Sequence, residues 1–216
     1  MTETLDDMIT YDLQERGISD ERTLAAFRKV DRKHFVPQME HARAYDDRAL
    51  VLTHGQTLSQ PYIVGLMTQS LELKGGERVL EIGTGSGFQT GILATLAKEI
   101  YTVERVEFLA TTAEDRLLAL GFKNIHYKLG DGSQGWPEHA PYDRIVVTAA
   151  CPQIPASLTD QLAEGGILVA PVGPPTGQRL AVGIKQKGIL NVRQGTECIF
   201  VKLIGREGYT TEASTE

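Results

Sequence analysis

Cysteine is scarce in this 216-residue chain. Cys151 and Cys198 are the two, they lie far apart, and neither has a second ligand at zinc-site spacing. Both are read as small buried hydrophobes rather than a disulfide, and no metal is expected. No apolar run approaches the roughly 18 residues that a membrane helix needs. The opening Met1-Thr-Glu-Thr-Leu-Asp-Asp7 is acidic where a secretory signal is basic. A cytoplasmic location without a membrane partner is therefore expected. Clusters of lysine and arginine are missing too. With 22 basic against 28 acidic residues the net charge is −6, which disfavours a nucleic-acid partner that must be held by its phosphates. What remains is ordinary globular material, 41% hydrophobic and 23% charged, of a length that suits one domain over 1–216.

Along the chain the pattern changes three times. Residues 1–60 read as a helical extension that gives way to a loop. Ser19 and Asp20 suit a helix start, Leu24, Phe27 and Val30 recur at helical spacing, and the helix should end before Pro37. Residues 45–59 have no sustained period and are read as loop. Residues 61–173 alternate helices with short apolar strands. Helices are expected from Pro61 to about Leu73, over Thr90–Lys98, over Val106–Leu120 before Gly121, and over Pro155–Ala163. Strands are expected at 78–83, 100–104, 124–129, 143–148 and 166–171. This alternation implies a doubly wound, mostly parallel α/β sheet. Residues 174–209 hold two strand-like stretches without a helix between them, Leu180–Lys185 and Thr196–Ile204, so an antiparallel pair should close the sheet. The small polar tail, 210–216, is expected to fray.

The most informative stretch is Val79-Leu-Glu-Ile-Gly-Thr-Gly-Ser-Gly-Phe88. A buried strand runs into glycines at alternate positions, Gly83, Gly85 and Gly87, and then into a helix. In a doubly wound sheet, ligands lie outside the carboxyl ends of the strands, where this loop falls. A dinucleotide loop wants its third glycine one residue later, and there the chain has Phe88. A nicotinamide oxidoreductase is thereby disfavoured. Glu81, just before the first glycine, suits a cationic, amino-acid-bearing nucleoside such as S-adenosylmethionine. Glu104 ends the next strand, where a carboxylate can accept from both ribose hydroxyls. Asp131 ends the third and can take the adenine amino group.

The segment Gly55-Gln-Thr-Leu-Ser-Gln-Pro-Tyr-Ile-Val64 resembles the one that marks the protein-L-isoaspartate O-methyltransferases, G-x-T-I-S-Q-P-x-x-V/A. The likeness extends through Arg32-Lys-His-Phe-Val-Pro37, Ala44-Tyr45, Tyr101-Thr-Val-Glu-Arg105, Gly130-Asp-Gly132, Gly135-Trp136 and Thr148-Ala-Ala150 to Phe200-Val201 and Leu203. It covers about residues 20–209. It implies a Rossmann-like class I S-adenosylmethionine-dependent methyltransferase with an N-terminal helical extension, S-adenosylhomocysteine as product, and isoaspartyl proteins and peptides as substrates of a monomeric repair enzyme.

By the same resemblance the cofactor would be held by Glu81, by the loop residues Gly83, Thr84, Gly85, Ser86 and Gly87, and by Gln89. Glu104, Arg105, Asp131, Gly132 and Thr148 would complete its site. Thr57 and Ser59 would sit beside the transferring methyl, with Ser59 the catalytic residue that aims the acceptor carboxylate. Its local sequence also suits a helix cap, two residues before Pro61, and both roles can hold together. Val201 and Leu203 would offer main-chain hydrogen bonds to the substrate, as fits an enzyme that must accept many flanking side chains. Lys202 departs from the family's usual proline there. His54 abuts the active segment but is read as structural or exposed, because a carboxylate needs no general base, and His34, before Phe35, is read as a loop or helix-end residue. Trp136 is read as packing over the 130–135 loop. The rival readings are a methyltransferase acting on a small molecule or RNA, and a non-enzymatic adenosyl-binding module; retention of the Thr57 and Ser59 hydroxyls weighs against the second.

Overall fold

The structure is a computed structural model and describes residues 4–51 and 57–210. His54, Gly55 and Gln56, and residues 211–216 of the tail, lie outside them. Seven strands form the main sheet: β3 (Arg78–Ile82), β4 (Glu99–Glu104), β5 (Ile125–Leu129), β6 (Tyr142–Val147), β7 (Leu162–Val172), β8 (Gln178–Gln186) and β9 (Ile189–Cys198). Their order is β5-β4-β3-β6-β7-β8-β9. The pairs from β5 through β7 are parallel, and β7–β8 and β8–β9 are antiparallel. The expected closing pair is present, but in a different place. The hairpin turns at Lys187-Gly188, both at positive φ, a two-residue connection whose twist matches the strands. β9 begins at Ile189 and ends at Cys198, so the apolar run 199–204 is not its continuation. That run's ladder contacts are isolated bridges, Lys202 with Ala150 and Ile204 with Tyr209.

Side-chain alternation along the strands divides the core in two. Val79, Ile100, Val146, Ile167 and Val169 face one cluster, which also takes in the N-terminal extension. Their neighbours Leu80, Tyr101, Val103, Ile145 and Leu168 face the other. The first face is covered by α2 (Glu21–Lys29), α3 (Pro61–Ser70), α4 (Phe88–Leu96) and α5 (Glu107–Ala119). The second has α6 (Ala156–Gln161) and two 3-10 turns, Gly132–Gln134 and Pro137–His139.

The extension starts with one turn, α1 (Leu5–Asp7), that opens into a π-helix over Met8–Gln14. α2 is capped by Asp20, whose side chain accepts from the Thr23 amide, and it ends at Lys29. Arg32–Phe35 then forms a separate 3-10 turn ahead of Pro37. This extension is part of the core. Phe27 meets Phe88 edge-on with ring centroids 5.7 Å apart, and Phe35 lies 5.4 Å from it. Phe88, the residue that departs from a dinucleotide loop, thus roots the start of α4 in the extension, and burial of such a ring is worth about 1.5–3 kcal/mol. The expected loop at 45–59 contains a short antiparallel ladder, β1 (Leu50–Val51) with β2 (Thr57–Leu58). Two residues per strand are too few to show a period in the sequence.

Candidate active site

A cavity of about 360 Å³ opens beside the carboxyl ends of β3, β4 and β6, where the strand order reverses. One wall comes from residues 82–86, 103–106, 132 and 148–149. The facing wall comes from 57–59 and 200–204, with Val64, Met67, Phe88 and Gln89 between them. The size suits a small-molecule ligand.

The glycine spacing has a separate steric cause at each end of the loop. Gly83 turns out of β3 at φ +95°, and a Cβ there would overlap Thr148 Oγ1. Gly87 precedes α4 at φ +87°, and its Cβ would stand 3.0 Å from Leu117 Cδ1 on α5. Between them Gly85 meets open space and lines the cavity. Gly87 is buried and does not line it, so its contribution is to seat the loop.

Glu104 closes the loop from β4. It is 7% exposed, lines the cavity, and accepts from the amides of Gly85 at 3.0 Å, Arg105 at 2.8 Å and Val106 at 2.9 Å. Its neighbour Arg105 is exposed at the rim. Glu81 lies deeper, at 0% exposure, and is not in the cavity wall. Thr90 and Thr102 donate to its Oε2 at 2.6 and 2.8 Å. Since a hydroxyl has one proton to give, Thr84 must be the donor in its 2.7 Å contact with Thr102. Thr84, which lines the cavity, is therefore wired to Glu81 through Thr102. Burial pushes the Glu81 carboxyl up to about 8, and its Oε1 has no hydrogen-bond partner. Gln89 lines the cavity and donates to Thr68 at 2.9 Å.

Asp131 stands next to the cavity wall but is not itself part of it. It opens the 3-10 turn 132–134, and its side chain caps that turn. Oδ1 accepts from the Ser133 amide and hydroxyl, and Oδ2 accepts from Gln134 Nε2 and the Arg206 amide. The carboxylate ties down the C-terminal segment, and the adjacent Gly132 is in the wall instead. Trp136 meets Tyr101 edge-on at 5.8 Å and lies near His139, on the sheet's second face. Cys151 is buried as expected, whereas Cys198 is half-buried.

At the acceptor end, Thr57 and Ser59 both line the cavity. Ser59 is not the helix cap: the cap position of α3 belongs to Gln60, and no local side chain caps it. Asp47 does so from the preceding loop, accepting from the Tyr62 amide at 3.1 Å and from Gln60 Nε2 at 2.6 Å. Arg32, wholly buried, donates to the carbonyl of Ser59 at 3.0 Å. Both residues escape a reading of the sequence. Arg32 falls in a recognised motif, yet nothing in its spacing says that its side chain points inward.

Val201 and Leu203 line the cavity, but their main chains are largely engaged within the fold. The Ala150 amide donates to Val201 O at 2.8 Å, the Leu203 amide donates to Ala150 O at 2.7 Å, and Leu203 O accepts from Tyr209. A substrate chain cannot take the Leu203 amide without breaking the fold's own bond, whereas each carbonyl keeps a second lone pair. Strand-like pairing with a substrate through these two residues therefore falls to their carbonyls and not to the Leu203 amide.

A seven-stranded sheet with this order and a glycine-loop cavity at its switch point defines a Rossmann-like class I S-adenosylmethionine-dependent methyltransferase. The sequence model of the protein-L-isoaspartate(D-aspartate) O-methyltransferase family matches residues 3–208, and the chain belongs to that family. A protein-L-isoaspartate O-methyltransferase of Methanoculleus marisnigri is 49% identical over 210 residues, spanning 97% of this chain and 95% of its own. One of Dictyoglomus thermophilum is 50% identical over 198 residues, spanning 91% and 90%. A solved protein-L-isoaspartate O-methyltransferase superposes with a TM-score of 0.84 at 27% identity, over 95% of this chain and 67% of that one. A putative one from Plasmodium falciparum, in complex with S-adenosyl-L-homocysteine, gives 0.82 at 25% identity, over 94% and 99%.

Proposed function

We propose that this chain transfers the methyl group of S-adenosylmethionine to the free α-carboxyl of L-isoaspartyl residues in damaged proteins and peptides, with Ser59 as the catalytic residue. The observation that carries this reading is one continuous cavity that reaches from Glu104 and the glycine loop to Thr57 and Ser59.

The residues present fit the cofactor. Glu104 offers a nearly buried carboxylate in the wall for the ribose hydroxyls, and Gly85 leaves room for a close approach. Gly83, Thr84, Ser86, Gly132 and Thr148 complete that end, with Gln89 and Arg105 flanking it. Glu81 acts from beneath the loop through Thr102 and Thr84, and Gly87 through its packing on α5. The bound cofactor supplies an electrophilic methyl on a sulfonium, which is already a good leaving group. The acceptor carboxylate is ionised at neutral pH and is already the nucleophile, so the protein need not remove a proton. Its part is alignment, worth up to roughly 7–11 kcal/mol, and exclusion of water. The Ser59 hydroxyl donates to one carboxylate oxygen and leaves the other aimed at the methyl, with Thr57 beside it. Leu203, Val201 and Phe200 form the apolar wall against which the acceptor lies.

The same reading has the chain act as a monomer in the cytoplasm, without a nucleic-acid partner, in keeping with its net charge of −6. No helix among the described residues is long and apolar enough to cross a membrane.

The test is transfer of labelled methyl to a peptide made with isoaspartate and to its aspartate twin. Base-labile label on the isoaspartyl peptide alone supports the reading, and no label on either, in protein that binds S-adenosylhomocysteine, overturns it. Ser59→Ala should lower kcat roughly 10–100-fold with S-adenosylhomocysteine still bound.

A further inference from the structure

We infer that Arg32 and Asp47 are positioning residues for methyl transfer, a two-sided clamp that sets where the Ser59 hydroxyl points. The inference rests on the assignment of Ser59 above.

Ser59 lies in a gap in the backbone hydrogen-bond pattern. The β1–β2 ladder stops at Leu58, and α3 starts at Pro61, which has no N–H to give. Arg32 holds the main chain in that gap. Its guanidinium reaches three carbonyls on two separate segments: Ala44 and Arg48 in the loop before β1, the latter at 3.0 Å, and Ser59, also at 3.0 Å. A planar fork of fixed donors can join three acceptors in one geometry, which a lysine ammonium on a flexible stem cannot reproduce. Burial draws the Arg32 pKa down to about 10, while Asp47 and Asp46 favour the cation. At neutral pH the group therefore stays charged and its donors stay available.

Asp47 holds the other flank. It takes the Tyr62 amide and the Gln60 side chain, and its Oδ2 is paired with Arg16. The loop is further fixed by the Tyr45 hydroxyl, which donates to Asp31 at 2.8 Å. Ser59 is thus held at its own carbonyl from one side and through the next three residues from the other. Both anchors are carried by the 31–48 region of the extension, outside the cofactor-binding loop. A plain core-filling role for Arg32 would explain its burial, but not the aim of one donor at the main chain of a cavity-lining serine.

The experiment compares Arg32→Lys, Asp47→Asn, Ser59→Ala and the Arg32→Lys/Ser59→Ala double variant. Each is measured for kcat and KM on an isoaspartyl peptide, for S-adenosylhomocysteine affinity by calorimetry, and for thermal stability. Lysine keeps a cation at the site, and asparagine keeps an acceptor for the Tyr62 amide, so folded protein is expected from both. Arg32→Lys and Asp47→Asn should lower kcat roughly 10–100-fold, as small misplacements of a reacting group do, with cofactor affinity held within about 3-fold. The double variant should lose no more than Ser59→Ala does by itself, since coupled residues are not additive. Losses that multiply, or a cofactor affinity that falls in step with kcat, would overturn the clamp. An inert Ser59→Ala is a distinct result, because it removes the assignment of Ser59 on which the clamp depends.

Discussion

Thr148 Oγ1 donates to the carbonyl of Gly83 at 2.6 Å and lies 2.9 Å from that of Ile82, joining the ends of β6 and β3 at the switch point of the sheet. The bond is short because Gly83 has no side chain. Gly83→Ala would force a Cβ into Thr148 and place alanine at φ +95°, a strain of about 1–3 kcal/mol before the displaced threonine is counted. S-adenosylhomocysteine affinity should fall by an order of magnitude or more, roughly 1.4 kcal/mol per tenfold step. Calorimetry checks it, and unchanged affinity would show that the loop relaxes freely.

Glu81 makes the unliganded protein pH-sensitive. Its ordinary value is 4.5, and burial raises it in the folded state to about 8. Between those values the folded protein keeps a proton that the unfolded chain has lost. Its stabilising effect is therefore complete below about pH 4.5 and is lost as pH rises through 8. Against wild type, Glu81→Gln should flatten urea stability between pH 5 and pH 8.5, the difference reaching on the order of a few kcal/mol at the alkaline end. Parallel curves for the two proteins would refute the raised value.

Glu104 receives three amides on one carboxylate. In Glu104→Gln one end of the group becomes a donor facing donors, leaving at least one amide poorly matched. A loss of roughly 1–3 kcal/mol in stability is expected, together with weaker cofactor binding. Melting curves with and without S-adenosylhomocysteine separate the two effects.

The C-terminal wall of the cavity depends on a glycine distant from any strand. A Cβ on Gly205 would overlap Asp131 Oδ1, whose carboxylate holds the Arg206 amide, while Ser133 and Ser157 hold Glu207. Gly205→Ala should release 205–209 and, with it, the Tyr209 amide bond to Leu203. Because 200–204 lies at the acceptor end, KM for an isoaspartyl peptide should rise several-fold, while the cofactor affinity changes less, as the walls are separate. Equal changes in both would sink the latch.

Acid should loosen the same latch. Burial acts to raise the Asp131 pKa, and the hydrogen bonds from Arg206, Ser133 and Gln134 outweigh it, leaving the carboxyl below its usual 3.8. Its contribution is present above that value and is lost as pH falls through the folded pKa. Asp131→Asn should show a weaker loss of stability under acid than wild type, measured by urea melts below pH 4.

The core of the fold was legible along the chain because its signals are local. Buried parallel strands are short apolar runs, and Pro61, Gly121 and the 83–87 loop are punctuation that needs no distant partner. Where a distant partner sets the structure, no local signal marks it. β9 carries polar residues because it is an exposed edge, so an apolar pattern places the strand at Thr196–Ile204, too late by several residues. Asp131 stands at a strand end like Glu104, and nothing local marks that its carboxylate also holds the amide of Arg206, 75 residues away.

The class of cofactor and the family follow from residue order alone, since both are written in short contiguous motifs whose chemistry depends on residue type: a glycine loop, a carboxylate at the next strand end, the Thr57-to-Pro61 segment. How those motifs are held is a property of the folded chain. Glu81 went beneath the loop, the Val201 carbonyl and the Leu203 amide were paired with Ala150, and Arg32 and Asp47 were brought to either side of Ser59. Each of these is a hydrogen bond between segments far apart in the chain, and such a bond leaves no periodicity for a sequence to display.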